Sequence, residues 1–145
     1  MKFERSITIG RPPSDVFVFL RDKDKYPQKP DSPVLILEKT TPGDPGVGTK
    51  YREVVQMLPL MRGEIFSEIT RFEPPNYLEE DFNGAGMQGY LAYEFRAEAD
   101  GTLLIQRETI RFLGFLSLFE PFIRMMLLRK IEDRLRAIKD ELEAG

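Results

Sequence analysis

The chain contains no histidine and no cysteine. Without imidazole or thiol it cannot assemble a Ser-His-Asp or Cys-His nucleophile, a zinc site built on thiolate or imidazole, or an imidazole proton relay. The lack of cysteine also excludes a disulfide framework, so the fold rests on packing. Basic residues are in slight deficit, 21 against 24 acidic, for a net charge of -3 and a pI near 5.2, which argues against nucleic acid as a partner. A long uninterrupted apolar run is missing too. The most apolar window, Ile110 to Leu128, is broken by Arg111, Glu120, Pro121 and Arg124, whereas a spanning helix needs about 20 mostly apolar residues. The opening MKFERSITIG has no apolar stretch behind its positive charge, so it does not read as a secretory signal and the expected location is cytoplasmic.

What is present fits one globular domain over residues 1–145, with 41% hydrophobic and 31% charged residues, enough chain for a single core. Phe3, Arg5, Ile7 and Ile9 alternate with polar neighbours, which predicts a strand over residues 2–10. Pro12 and Pro13 break that pattern, and an acid at Asp15 before Val16, Phe17, Phe19 and Leu20 predicts a short helix ending near Asp22. The charged, proline-rich stretch from Asp22 to Pro33 reads as a poor helical turn and a loop.

Six further strands are predicted: Val34 to Thr41, Thr49 to Met57, Gly63 to Phe72, Tyr77 to Phe82, Gln88 to Ala97 and Thr102 to Phe112. They are separated by TPGDPGVG, Leu58-Pro59, Pro74-Pro75-Asn76, NGAG and Asp100-Gly101, short breaks that suggest successive antiparallel hairpins. From about Leu118 to Ala144, Ile123, Leu127, Ile131, Leu135, Ile138 and Leu142 recur at helical spacing, with Glu132–Arg136 and Lys139–Glu143 as expected i,i+4 pairs. A curved sheet followed by one long helix must bury that helix's apolar stripe against its concave face. The fold class is therefore α+β.

This order, with PPSDVFVFL at Pro12 to Leu20, PGVGTKY at Pro45 to Tyr51, FEPPNYL at Phe72 to Leu78, Gly101-Thr102, and the closing Leu135, Ile138, Lys139, Leu142 and Glu143, resembles the SRPBCC superfamily. These START-like, helix-grip proteins include polyketide cyclases, lipid-transfer domains and plant pathogenesis-related proteins. The resemblance covers nearly the whole chain. It implies about seven antiparallel strands wrapped around the long carboxy-terminal helix, short helices after the first strand, and a cavity that takes an apolar or amphipathic small molecule. Catalytic residues differ between branches of the superfamily, and no branch motif here carries one over.

Strict alternation puts Tyr51, Val55 and Met57 on one strand face and Leu91, Tyr93 and Phe95 on another. With Phe82, Phe112, Phe115, Phe119, Phe122, Ile123 and Met126, these are the candidate ligand-binding residues, each of which could equally fill an ordinary core. An empty cavity of roughly 300 Å³, the lower end of ligand-pocket size, would cost about 7 kcal/mol at roughly 24 cal/mol per Å³. That rivals the stability of a whole domain, so such a cavity must be filled by a ligand, hydrated, or closed by flexible side chains.

The polar candidates on central strands are Glu64, Glu68, Arg107, Glu108, Thr109 and Arg111. Glu68 and Arg107, with Tyr93, are the catalytic candidates if they face the cavity, and Tyr51, Tyr77 and Tyr90 could also donate hydrogen bonds. Strand register decides, and outer-face charges are the ordinary alternative. GDPGVGTK has the order Thr49-Lys50 and a strand behind it, unlike a phosphate loop. Asp22 and Asp24 lack the glycine and glutamate of a calcium loop, and Glu79, Glu80 and Asp81 read as a solvated acidic edge. No metal or cofactor is expected.

The leading reading is a carrier of a hydrophobic small molecule, gated by the terminal helix and the Phe112 to Phe122 connector. A second is a cyclase or dehydratase without metal or covalent nucleophile. The third is a docking module, in which Arg124, Arg129, Lys130, Arg134, Arg136 and Lys139 join the apolar Leu113 to Phe122 stretch in peripheral contact with an acidic membrane or a partner. Oligomeric state is not legible.

Overall fold

The computed structural model describes residues 1–25, 32–58 and 60–145, with the side chains of Met57 and Leu58 outside that description. Seven strands follow the chain as β1 (Lys2–Ile9), β2 (Val34–Lys39), β3 (Lys50–Leu58), β4 (Met61–Glu73), β5 (Tyr77–Gly84), β6 (Met87–Glu98) and β7 (Gly101–Phe112). Helix α1 (Pro13–Arg21) and a 3-10 turn (Lys23–Lys25) come between β1 and β2; a 3-10 connector (Gly114–Phe119) leads into α2 (Glu120–Ala144). The predicted loop partly falls on residues 26–31, and the predicted break at Leu58-Pro59 on Pro59, which lie outside the described residues.

The strands form one antiparallel sheet in the order β1-β7-β6-β5-β4-β3-β2. Each hairpin pairs neighbours in sequence, and β1 closes against β7 along the register Phe3↔Glu108, Arg5↔Gln106, Ile7↔Leu104 and Ile9↔Thr102. Directly opposed residues share a face, so the register assigns both sides. The concave side carries Tyr51 and Glu53 of β3, Ser67 and Ile69 of β4, Leu78, Glu80 and Phe82 of β5, Leu91, Tyr93 and Phe95 of β6, and Leu104, Gln106, Glu108 and Ile110 of β7. A register shift between Ile69 and Arg71 returns Phe72 to the same side, opposite Leu78. At Gly89 a Cβ would stand 1.8 Å from the Thr109 carbonyl oxygen, so only glycine allows β6 and β7 to approach so closely there.

Helix α1 begins after Pro12 with Pro13 in its first turn and Asp15 beside its amino terminus, where a missing donor and a negative charge are both favourable. Its Val16, Phe17 and Leu20 are buried, and the Phe17 ring packs edge-on to Phe72 and Phe95 at centroid distances of 5.3 and 5.1 Å. This closes one end of the concave face. The carboxy-terminal half of α2 buries Ile131, Leu135 and Ile138, with Ile123, Leu127 and Leu142 packed partly against the core. Polar contacts fix it along β1. Arg5 pairs with Glu132 at 3.1 Å, Lys139 donates to the Thr8 carbonyl at 2.6 Å, and Glu143 accepts from the Gly10 amide at 2.8 Å. Lys139 and Glu143 form the expected i,i+4 pair, whereas Glu132 pairs with Arg5 across elements, and Arg136 lies 3.9 Å from Asp133.

Candidate functional site

The concave face of the sheet, on the side of α2, carries a set of polar groups. Tyr93 is 3% exposed, and its hydroxyl has no hydrogen-bond partner among the described residues. Its register partner Gln106 leaves Oε1 unpaired likewise, as does Ser67 its hydroxyl. Each such atom carries a desolvation cost of about 1–3 kcal/mol, so three on one face mark a surface made for polar contact. Glu108, two residues along β7, accepts a 3.3 Å hydrogen bond from Gln106 Nε2. Burial lifts its carboxyl to about 7; Arg134 and the Gln106 bond hold it down in part, and the like charge of Glu53 adds to the rise.

Arg134 faces this floor from α2. It lies three residues after Ile131 and four before Ile138, on the flank of the buried stripe, and helical geometry turns it toward the sheet. Its side chain is exposed to solvent. Tyr93, Glu53, Glu108 and Glu80 all favour its charged form, and no ion pair ties it among the described residues. Burial likewise pushes the Tyr93 phenol up to about 12. Glu80 belongs to the same set: it is 6% exposed and paired at 2.8 Å with Lys23, whose ammonium also lies 4.4 Å from the Tyr51 ring centre. Glu80 is therefore part of the interior and not of a solvated acidic edge.

Of the predicted site residues, the register brings Tyr51, Val55, Phe82, Leu91, Tyr93, Phe95 and Phe112 to the concave side. The Met57 side chain lies outside the described residues. Ile123 packs partly against the core. Phe115, Phe119, Phe122 and Met126 are not brought to the concave face: they stand exposed on the connector and the first turns of α2, because Phe122 and Met126 fall on the helix side away from Ile131 and Ile138.

The catalytic candidates Glu68 and Arg107 are on the convex side. Glu68 opposes Lys50 and lies 3.7 Å from its ammonium; Arg107 is paired with Glu4 at 2.6 Å and Glu94 at 2.9 Å. Glu64, Thr109 and Arg111 share that side, as do Tyr77 and Tyr90, leaving Glu108 alone of the six central polar residues inside. A groove of about 690 Å³ crosses this convex face between Lys2, Tyr77, Tyr90 and Arg107. Most of its charged groups are engaged with one another, with Tyr77 donating to Glu79 at 2.7 Å and Arg107 doubly paired. Among the described residues no group of three or more acidic side chains is placed to hold a metal ion, and no helix is long and apolar enough to cross a membrane.

The profile of the family described as polyketide cyclase / dehydrase and lipid transport matches residues 1–143. The chain belongs to this family. Solved structures similar to this chain include the ZhuI aromatase/cyclase from Streptomyces sp. R1128, at 14% identity and a TM-score of 0.78 over 99% of this chain and 93% of that one. A conserved protein from Geobacillus kaustophilus matches at 17% identity and 0.81, over 99% and 96%, and Ara h 8.0201 at 15% and 0.79, over 100% and 99%. At such identities the likeness is one of fold, the helix-grip arrangement expected from the sequence. No curated protein matches at the sequence level.

Proposed function

We propose that this protein binds a hydrophobic or amphipathic small molecule between the concave face and α2, with the ligand's polar end at Tyr93, Gln106 and Glu108 beneath Arg134. One observation carries the reading: a buried Tyr93 hydroxyl without a partner, in the field of a charged Arg134 that has no ion pair among the described residues. A ligand oxygen meeting both groups satisfies them together, while Leu91, Phe82 and Phe95 present apolar surface to the rest of the molecule. Family membership and the helix-grip neighbours support this class of ligand. Native mass spectrometry of freshly purified protein tests it. A co-purified mass of a lipid-like or polycyclic compound, reduced in Tyr93→Phe, is expected; bare protein that also takes up no fatty acid, sterol or aromatic polyketide argues against it.

A second reading, cyclase or dehydratase chemistry, is favoured by the carboxyl of Glu108 titrating at about 7 next to those groups, where a general base works best. Its ionised form would take a proton from carbon beside a ketone, leaving an enolate whose oxygen meets Arg134 and Tyr93. The enolate carbon would then attack a second carbonyl of the same substrate, and the new alkoxide would recover the proton from Glu108. Glu108→Gln separates the readings: a carrier keeps its ligand, and an enzyme keeps binding but loses turnover.

A further inference from the structure

The connector and the first turns of α2 leave six large apolar side chains in solvent: Phe115 at 68% exposure, Leu118 at 79%, Phe119 at 54%, Phe122 at 63%, Met125 at 59% and Met126 at 45%. A contiguous apolar surface of this kind marks an interaction site. Its electrical setting says what kind. Residues 111–130 contain Arg111, Arg124, Arg129 and Lys130 against the single acid Glu120, and Glu120 lies 3.6 Å from the terminal ammonium of Met1. This stretch is thus +3 in a chain of net -3, which leaves -6 on the remainder. Arg129 and Lys130 follow Met125 and Met126 by four residues, so they rim the apolar group on the same helix side.

From these features we infer that the Phe115 to Met126 surface docks on an anionic lipid membrane, apolar tips in the headgroup boundary and Arg129 and Lys130 at the phosphates. A second copy of the chain fits poorly, because an isologous contact would bring the Arg129 and Lys130 charges of two copies together. A protein partner would need hydrogen-bonding groups at roughly one per 100–200 Å² of interface. The patch supplies few: the hydroxyl of Ser117 is already used on the Gly114 carbonyl at 2.7 Å. A lipid surface asks only for apolar insertion and positive charge. The patch is also firmly based, since Leu116 of the connector seats against Gly86 in the β5–β6 turn and the Leu113 amide donates to the Gly86 carbonyl at 2.8 Å.

Flotation with phosphatidylcholine vesicles, with and without phosphatidylserine, tests this directly on the full chain. Binding to the phosphatidylserine vesicles, weakened by added salt and negligible on phosphatidylcholine alone, is expected. Arg129→Glu with Lys130→Glu should weaken partitioning at least about tenfold, and Phe119→Ser with Phe122→Ser should do likewise at unchanged circular dichroism. Absence of flotation with phosphatidylserine, or flotation indifferent to both double variants, overturns the inference. So does a concentration-dependent dimer in sedimentation that the Phe119/Phe122 variant dissolves, which would give the surface to a second copy. An acidic protein partner that competes off by the same variants while vesicles fail to bind would overturn it equally.

Discussion

Glu108 on β7 and Arg134 on α2 face one another across the interior, coupled by charge and not by a hydrogen bond. Had they met as an ion pair, each would have satisfied the other and the interior would be closed to polar ligands. Kept apart, with the Tyr93 hydroxyl unpaired nearby, they leave two opposite kinds of polar contact for a bound molecule. The separation follows from the architecture. Glu108 is fixed by the β6–β7 register opposite Leu91, and Arg134 by the packing of Ile131, Leu135 and Ile138 beside β1.

Glu108 should make stability depend on pH. Its carboxyl stands at about 7 in the folded protein against 4.5 when unperturbed, so between those values the folded state holds a proton that the unfolded chain has lost. Stability contributed by the protonated form is complete below about 4.5 and is lost as pH rises through about 7. Glu108→Gln lacks this loss. Urea midpoints should show the variant gaining on the parent across that window and keeping a constant lead above it; parallel profiles would mean that Glu108 titrates as an ordinary surface acid.

The Lys23–Glu80 pair is largely enclosed, with Glu80 buried and Lys23 half-buried, at side-chain exposures of 8% and 13%. Lys23→Met should cost about 3–5 kcal/mol by leaving Glu80 without its cation, and Lys23→Met with Glu80→Leu should recover much of that. Chemical denaturation of the two variants checks the pattern. A harmless single variant would show that the pair is open to water in solution.

The two ends of α2 should respond oppositely to truncation. Leu135→Ala removes a side chain that is 2% exposed and should cost about 2–5 kcal/mol. Met125→Ser, at 59% exposure, should fall within about 0.5 kcal/mol of the parent. Equal losses would mean that the first turns of the helix are packed in solution.

Convex-side substitutions should leave ligand affinity alone. Arg107→Ala and Glu68→Ala each remove surface ion pairs, worth at most about 1 kcal/mol of stability apiece, and touch nothing on the concave side. Titration of any ligand that the parent binds should give the parent's affinity in both variants.

Much of this architecture was legible in the residue pattern because its signals are binary. Phe3, Ile7 and Ile9 alternate as a strand must, the TPGDPGVG and Asp100-Gly101 breaks fall between β2 and β3 and between β6 and β7, and Ile131, Leu135 and Ile138 keep helical spacing. The site was harder because it depends on parity. Arg107 and Glu108 are adjacent charged residues on a strand that is polar on both sides, and only the pairing of Glu108 with Phe3 and Leu91 tells which one enters. Glu53 and Glu80 were hidden in the same way, although Glu53 shares its alternation with Tyr51 and Val55. Arg134 sits among Asp133 and Arg136 and reads with the solvated charges. Its position between Ile131 and Ile138 on the apolar stripe was the signal that could have found it.

The interior as the ligand site is tested most directly by calorimetric titration of a matched series, a fatty acid, its alcohol and an aromatic polyketide, into the parent, Leu91→Trp and Tyr90→Ser. Leu91 and Tyr90 are neighbours on β6 that face opposite sides of the sheet, so the two variants differ chiefly in which side they alter. Binding by the parent and Tyr90→Ser, with loss in a folded Leu91→Trp, is the predicted result. Binding that Leu91→Trp leaves intact, or no binding of any compound by the parent, would contradict a ligand site between the sheet and α2.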